Sequence, residues 1–332
     1  MKPPALGDAR IRATFQDRDC LVRSVRLIKT YGAKRALDEV DIEVRRGDFF
    51  GLVGSNGAGK TTFLRLAASL ITPTAGAIYV GGFSTRIWPG MVRRQVGWLP
   101  DSTSIHERVR VHVHLEFHAL LLRIPPDARR AAVAEALEHV GLADRWAEDV
   151  RALSRGMQQR LALARILMKR PEVLLLDEPV SGLDPRSRLE VLDLLRRLNA
   201  AGHTLVVSSH ILHDLERYCN RIAILEEGTL RWCGPLAEAR GALADRMRHF
   251  VEVAELPSAA AEALKSLPGV QDAHVDDAHR VPRVCFRTTA PSDDPAGAVA
   301  LLVERGFRVL QVAREEPTLH DLFLHYTSGR VS

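Results

Sequence analysis

The 332-residue chain has no apolar run approaching the roughly 20 residues that cross a bilayer, and no apolar stretch or cleavage site of a signal peptide at its N-terminus. A cytoplasmic chain without a membrane span is expected. Cysteine is scarce: Cys20, Cys219, Cys233 and Cys285 form no CxxC pair and no metal-ligand spacing, so neither disulfide nor zinc is expected. Aromatics make up only 5%, too few for base-stacking platforms, and the net charge of +5 is spread along the chain rather than gathered in a stripe. A solvated basic surface follows, and nucleic acid is a disfavoured partner. Internal repeats and low-complexity tracts are also missing.

What is present is a chain 46% hydrophobic and 26% charged, long enough for two domains. Residues 1–20 carry Pro3, Pro4 and Gly7 without periodicity and are expected to form a flexible tail. From Leu21 to Ile28 the residues favour β structure, and Val40 to Val44 alternate cleanly, which predicts two paired strands. Three short apolar runs, Asp48–Val53, Val173–Leu176 and Thr204–Val207, read as strands buried on both faces, the mark of a parallel sheet covered by helices. Between the first two lies a helix-rich insertion, about 110–169, broken at Pro125-Pro126 and Gly141. A helix from Leu236 to Met247 leads to a domain boundary near Arg248, and residues 248–332 read as strand, helix, strand, strand, helix, strand, then a last helix from Thr318. That order is the split βαβ of a ferredoxin-like α+β domain.

The run Gly54-Ser-Asn-Gly-Ala-Gly-Lys-Thr61, followed by Thr62, sits after a strand and opens a helix, the context that gives a phosphate-binding loop its meaning. Glycines let the backbone wind close, so that its N–H groups face an anion. Lys60 is suited to reach the β- and γ-phosphates, and the Thr61 hydroxyl to complete a Mg²⁺ shell. By itself this loop means nucleotide binding only.

Downstream, Leu153-Ser-Arg-Gly-Met-Gln-Gln-Arg160, Val173-Leu-Leu-Leu-Asp-Glu-Pro179, Ser181-Gly-Leu-Asp184 and His210 follow in fixed order. Over about Leu21 to Ala239 the chain therefore resembles the ATP-binding cassette (ABC) family, which implies a P-loop NTPase cassette with an antiparallel β subdomain and a helical subdomain, spanning 21–247. Asp177, ending a buried strand, is expected to hold Mg²⁺, and Glu178 to act as general base on the water attacking the γ-phosphate of ATP. The resemblance implies that His210 bonds the γ-phosphate and that Tyr31 stacks on adenine. It also implies that Ser154 and Gly156 contact ATP bound to the opposite subunit, with Asp184 crossing between the two sites. A dimer sandwiching two ATP molecules, either a homodimer or a heterodimer with a second ATP-binding subunit, is the expected working state.

Three positions depart from the family pattern. Arg155 and Met157 stand where glycine and glutamine are usual, and Asp101, in Gly97-Trp-Leu-Pro-Asp101, stands where the coupling loop carries glutamine. A charged carboxylate is a harder oxygen ligand for Mg²⁺ with a shorter reach, so Asp101 is a candidate both for the metal shell and for slower hydrolysis. The segment His112-Val-His-Leu-Glu-Phe-His118 lacks the spacing of a zinc-protease helix and reads as surface or partner contact. Residues Trp98 to Leu122 are the expected docking surface for a membrane permease, and Glu316-Pro-Thr-Leu-His-Asp-Leu-Phe323 resembles a stretch of domains appended to exporter ATPases. The expectation is an ATP-hydrolysing subunit, peripheral on the inner face of the membrane, that drives export through a separate permease. A soluble ABC ATPase acting on nucleic acid or ribosomes is the alternative; no long coiled-coil insertion or second cassette supports it.

Overall fold

The computed structural model describes residues 17, 19–102, 108–241, 248–276, 283–288, 295–315 and 318–327. Most of the expected N-terminal tail, the end of the helix drawn to Met247, and Glu316-Pro317 lie outside these residues. The described chain divides into two compact units, one up to Leu236 together with the segment from Phe323, the other Ala237–Leu322.

The first unit begins with β1 (Cys20–Tyr31), β2 (Lys34–Val40) and β3 (Glu43–Arg45). The single strand expected over Val40 to Val44 is broken at Asp41, because Ser24 of β1 intrudes there. Its buried hydroxyl donates to the Val40 carbonyl at 2.9 Å and accepts the Ile42 N–H at 2.8 Å. β2 is hidden in the sequence by its polar residues, the exposed Lys34, Arg35 and Glu39 and the half-buried Asp38.

Next comes β4 (Phe49–Val53), buried at all five positions, then α1 (Lys60–Ala67), β5 (Ala75–Val80), β6 (Phe83–Ser84), α2 (Pro89–Gln95) and β7 (Val96–Leu99). The helical insertion holds α3 (Val111–Leu121), α4 (Pro126–His139) and α5 (Arg155–Leu167). Pro126 takes the first turn of α4, where a missing N–H costs nothing, and Gly141 follows its end at φ +68°. On α3 the face made by Val111, His114, Leu115 and Ala119 is buried, so His114 is an interior residue rather than the surface contact expected of it. Its neighbour His112 sits at the rim, with Nδ1 2.8 Å from the Trp146 carbonyl and its ring stacked on the indole.

The unit continues with β8 (Val173–Asp177), α6 (Pro185–Ala200), β9 (Thr204–Ser209), α7 (Leu212–Tyr218), β10 (Arg221–Glu226) and β11 (Thr229–Pro235), and α8 (Leu236–Gly241) follows. Two sheets result. One is antiparallel, in the order β2-β1-β5-β6 with β3 also on β1; the other runs β11-β10-β4-β9-β8-β7, parallel from β10 to β7. Phe50, Leu52, Phe63, Leu64 and Val206 share one apolar core with Val22, Leu37 and Val44, which joins the two sheets through α1.

The second unit contains β12 (Arg248–Val253), α9 (Pro257–Lys265), β13 (Val270–Asp276), β14 (Arg283–Thr288), α10 (Ala296–Glu304) and β15 (Val309–Glu315), with α11 (Leu319–Tyr326) running out of it. Its sheet order is β13-β14-β12-β15 with every pair antiparallel, the split βαβ topology. Val251, Leu264, Phe286 and Leu302 pack between sheet and helices as its own core.

Ser24→Ala leaves the Val40 carbonyl and the Ile42 N–H without their buried partner, a loss of about 1–3 kcal/mol. Urea unfolding of the purified chain is expected to show a lowered midpoint corresponding to that loss of unfolding free energy; an unchanged midpoint contradicts the bridging role.

Candidate functional site

In the parallel sheet β9 lies between β4 and β8, and the register pairs Val53 with Ser209 and Asp177 with Ser208. The three strands therefore end level. The loop after β4, the acidic pair after Leu176, and Ser208 to His210 meet at the carboxyl edge of the sheet, where open α/β sheets hold their ligands.

The loop has the shape only glycine allows. A Cβ on Gly54 would lie 2.5 Å from the Leu225 carbonyl oxygen, and one on Gly59, held at φ +107°, would lie 2.7 Å from that of Ala36. Gly57 adopts φ +84°. Ala58 is pinned from both sides, donating its N–H to the Ser55 carbonyl and accepting that of Gly228. The result is a half-open cleft of about 320 Å³, lined by Ser55 to Thr62 and by Tyr31, Lys34, Ala36, Asp101 and Glu178. Loop N–H groups at the start of α1, with Lys60, suit a polyphosphate.

Lys60 is 6% exposed and donates to the carbonyls of Gly54 at 2.6 Å and Ser55 at 3.2 Å, with Glu178 Oε1 at 3.6 Å. Burial pulls its pKa below the ordinary lysine value, and the Glu178 and Asp177 carboxylates oppose that pull. Beside it, the Thr61 hydroxyl donates to Asp177 Oδ1 at 3.1 Å. A hydroxyl and a carboxylate in contact at the foot of a phosphate cradle are the hard oxygen donors that Mg²⁺ takes, so the residues fit that ion. Glu178 sits at φ +47°, a strained value for a residue with a side chain, and its Oε2 lies 2.9 Å from Nδ1 of the exposed His210.

Comparison with known proteins agrees with this geometry. The ABC transporter family profile matches residues 37–181. The daunorubicin resistance ATP-binding protein DrrA3 of Streptomyces coeruleorubidus is 37% identical over 301 residues, covering 90% of this chain and 93% of its own. The chain belongs to the ABC transporter family. It is an ATP-binding subunit of that family and an ATPase. The bacitracin transport ATP-binding protein BcrA of Bacillus licheniformis is 31% identical across 93% of this chain and 98% of its own. Among solved structures, an ATP binding subunit of an ABC transporter superposes with TM-score 0.60 at 29% identity, over 67% of this chain and 93% of that one. A dimeric cassette in a post-hydrolysis state with ADP and Pi gives TM-score 0.58 at 28% identity, over 65% of this chain and 99% of that one.

Within the cassette, the sequence-predicted residues fall into two groups. Tyr31, Ser55, Asn56, Gly57, Ala58, Gly59, Lys60, Thr61, Thr62, Asp101 and Glu178 line the cleft, with buried Gly54 bonded to it through Lys60, and Asp177 and His210 bonded to its wall. Tyr31 is half-exposed and carries the Lys29 ammonium 5.0 Å from its ring centre. Ser154, Gly156 and Asp184 do not line the cleft. Ser154 caps α5, taking the Met157 N–H at 3.3 Å, while Asp184 caps α6, taking those of Arg186 and Ser187. Hydrogen bonds from Ser187 hold the Asp184 carboxyl below its ordinary pKa. The two caps are neighbours, because Gly156 packs so closely on Ser187 that a Cβ would lie 2.5 Å away.

Sequence reasoning missed Lys34 and Ala36, brought to the cleft by β2, and it passed over Ser208 and Gln159. Gln159 is buried and donates to the Pro179 carbonyl at 2.7 Å, tying α5 to the turn after Glu178. A buried glutamine inside an otherwise apolar helix face was the available signal.

Gly59→Ala combines positive φ with a clash against backbone, a strain of about 1–3 kcal/mol. Fluorescent-ATP titration is expected to show affinity weakened about tenfold or more; wild-type affinity contradicts the cradle.

Proposed function

We propose that the cassette hydrolyses ATP with Mg²⁺ held by Thr61 and Asp177, and that it drives export through a separate membrane permease. The observation that carries this reading is the convergence of Lys60, Thr61, Asp177, Glu178 and His210 at one strand edge. Mg²⁺ held by Thr61 and Asp177 would offset the negative charge of the phosphate groups. Glu178, held between Lys60 and His210, polarises the attacking water and takes its proton. Lys60 and the loop N–H groups stabilise charge on the transferred phosphoryl group, with His210 placed to bond its oxygen. Tyr31 stacks on adenine beside Lys34.

Ser154, Gly156 and Asp184 stand away from the cleft of their own chain and act on the ATP of a second ATP-binding subunit, a copy of this chain or a related one. The helix N-terminus behind Ser154 favours an anion. A dimeric solved relative supports that arrangement. No described helix is long and apolar enough to cross a membrane, and in this reading a separate permease supplies the pore. Val113, Phe117, Leu120 and Leu121 leave α3 with an exposed apolar face within the Trp98 to Leu122 docking surface, and the permease covers it from the inner face of the membrane. Relatives that serve drug resistance and bacitracin transport support export as the direction. The second unit, 248–332 in the sequence reading, is an accessory domain. Action on nucleic acid or ribosomes is disfavoured.

Glu178→Gln keeps the shape and removes the base. Steady-state ATPase activity is expected to fall about 10²–10⁴-fold with nucleotide binding retained; turnover at the wild-type rate refutes the assignment. Asp101→Gln restores the longer, neutral side chain and is expected to raise kcat and shift the Mg²⁺ dependence. Unchanged values for both remove Asp101 from the site.

A further inference from the structure

Ser208 is fully buried at the end of β9, directly opposite Asp177 in the parallel ladder. Its one hydroxyl makes two bonds: it donates to Asp177 Oδ1 at 2.7 Å and accepts the Glu178 N–H at 2.9 Å. The same Asp177 oxygen receives the Thr61 hydroxyl, so a single carboxylate oxygen is shared by β9 and the phosphate loop. Glu178, at φ +47°, turns its N–H toward β9 and away from an ordinary extended course. Two residues beyond Ser208, His210 holds the Glu178 carboxylate. The end of β9 and the residue that follows it thus grip both the main chain and the side chain of Glu178.

We infer that Ser208 is a positioning residue for the hydrolytic step, its hydroxyl fixing the Asp177 carboxylate and the strained Glu178 main chain in one mutual geometry. This rests on Glu178 as the base and Asp177 as the metal ligand. A displacement of about 1 Å at a catalytic group is enough to cost 10²-fold in rate, and a single hydroxyl between two acidic residues governs displacements of that order. Asp177 and Glu178 are adjacent in sequence, yet their side chains face different tasks; without the β9 hydroxyl nothing else among the described hydrogen bonds ties the Glu178 N–H.

The test compares Ser208→Ala and Ser208→Thr in the full chain, with fluorescent-ATP binding as the check on folding. For Ser208→Ala, kcat is expected to fall about 10–100-fold, the usual effect of removing an outer partner of a metal ligand. KM for ATP stays within about twofold, and the Mg²⁺ concentration for half-maximal activity rises. Ser208→Thr keeps the hydroxyl and recovers most of kcat. A serine that only fills space would lower the unfolding temperature without moving the Mg²⁺ dependence. Wild-type kcat in Ser208→Ala, or a raised KM with kcat unchanged, overturns the inference. The Glu178→Gln control separates the two levels: if that chain still turns over, the choice of base has failed, whatever Ser208 does.

Discussion

Everything at the site depends on the parallel register of β4, β9 and β8. Parallel strands buried on both faces are fixed in register by their packing, since a slip of one residue exchanges the faces of every side chain. Here the register sets Asp177 against Ser208 and Val53 against Ser209. The phosphate loop, the acidic pair and the β9 hydroxyl therefore arrive at one height. The rigid sheet supplies the precision, and the loops supply the chemistry.

The consequence is a site in which charge is arranged before any substrate arrives. Lys60, mostly buried, is kept from solvent by the loop it bonds, while Asp177 and Glu178 sustain its charge. Glu178 is held in a conformation that an isolated turn would not choose. Backbone strain of this kind persists where surrounding structure over-determines it, and at Glu178 the over-determination comes from Ser208, His210 and Lys60 together.

The sequence displayed its contiguous motifs openly. Gly54 to Thr62 and Val173 to Glu178 each carry their meaning within a few residues, because a loop that wraps phosphate and a strand that ends in acid are local structures. The split βαβ order of the second unit was also readable, since its alternation of strand and helix is local. Illegible features were those made by pairing at a distance. β2 hides behind charged residues that face solvent, the break at Asp41 is caused by Ser24 on another strand, and the interior place of His114 follows from the packing of a whole helix face. Ser208 reads as an ordinary strand serine until the register sets it opposite Asp177. Ser154 and Asp184 are ordinary helix caps within one chain, and the role proposed for them lies on a second subunit.

In the proposed function the cleft at Gly54 to Thr62 is half a site, completed by Ser154 of a second ATP-binding subunit. Sedimentation velocity of the hydrolysis-deficient chain in saturating Mg²⁺ and ATP, against ADP, measures it directly. The account predicts a dimer with ATP, a monomer with ADP, and loss of the ATP dimer when Ser154→Ala is added. A chain that stays monomeric with ATP bound, or a dimer indifferent to Ser154, would contradict it.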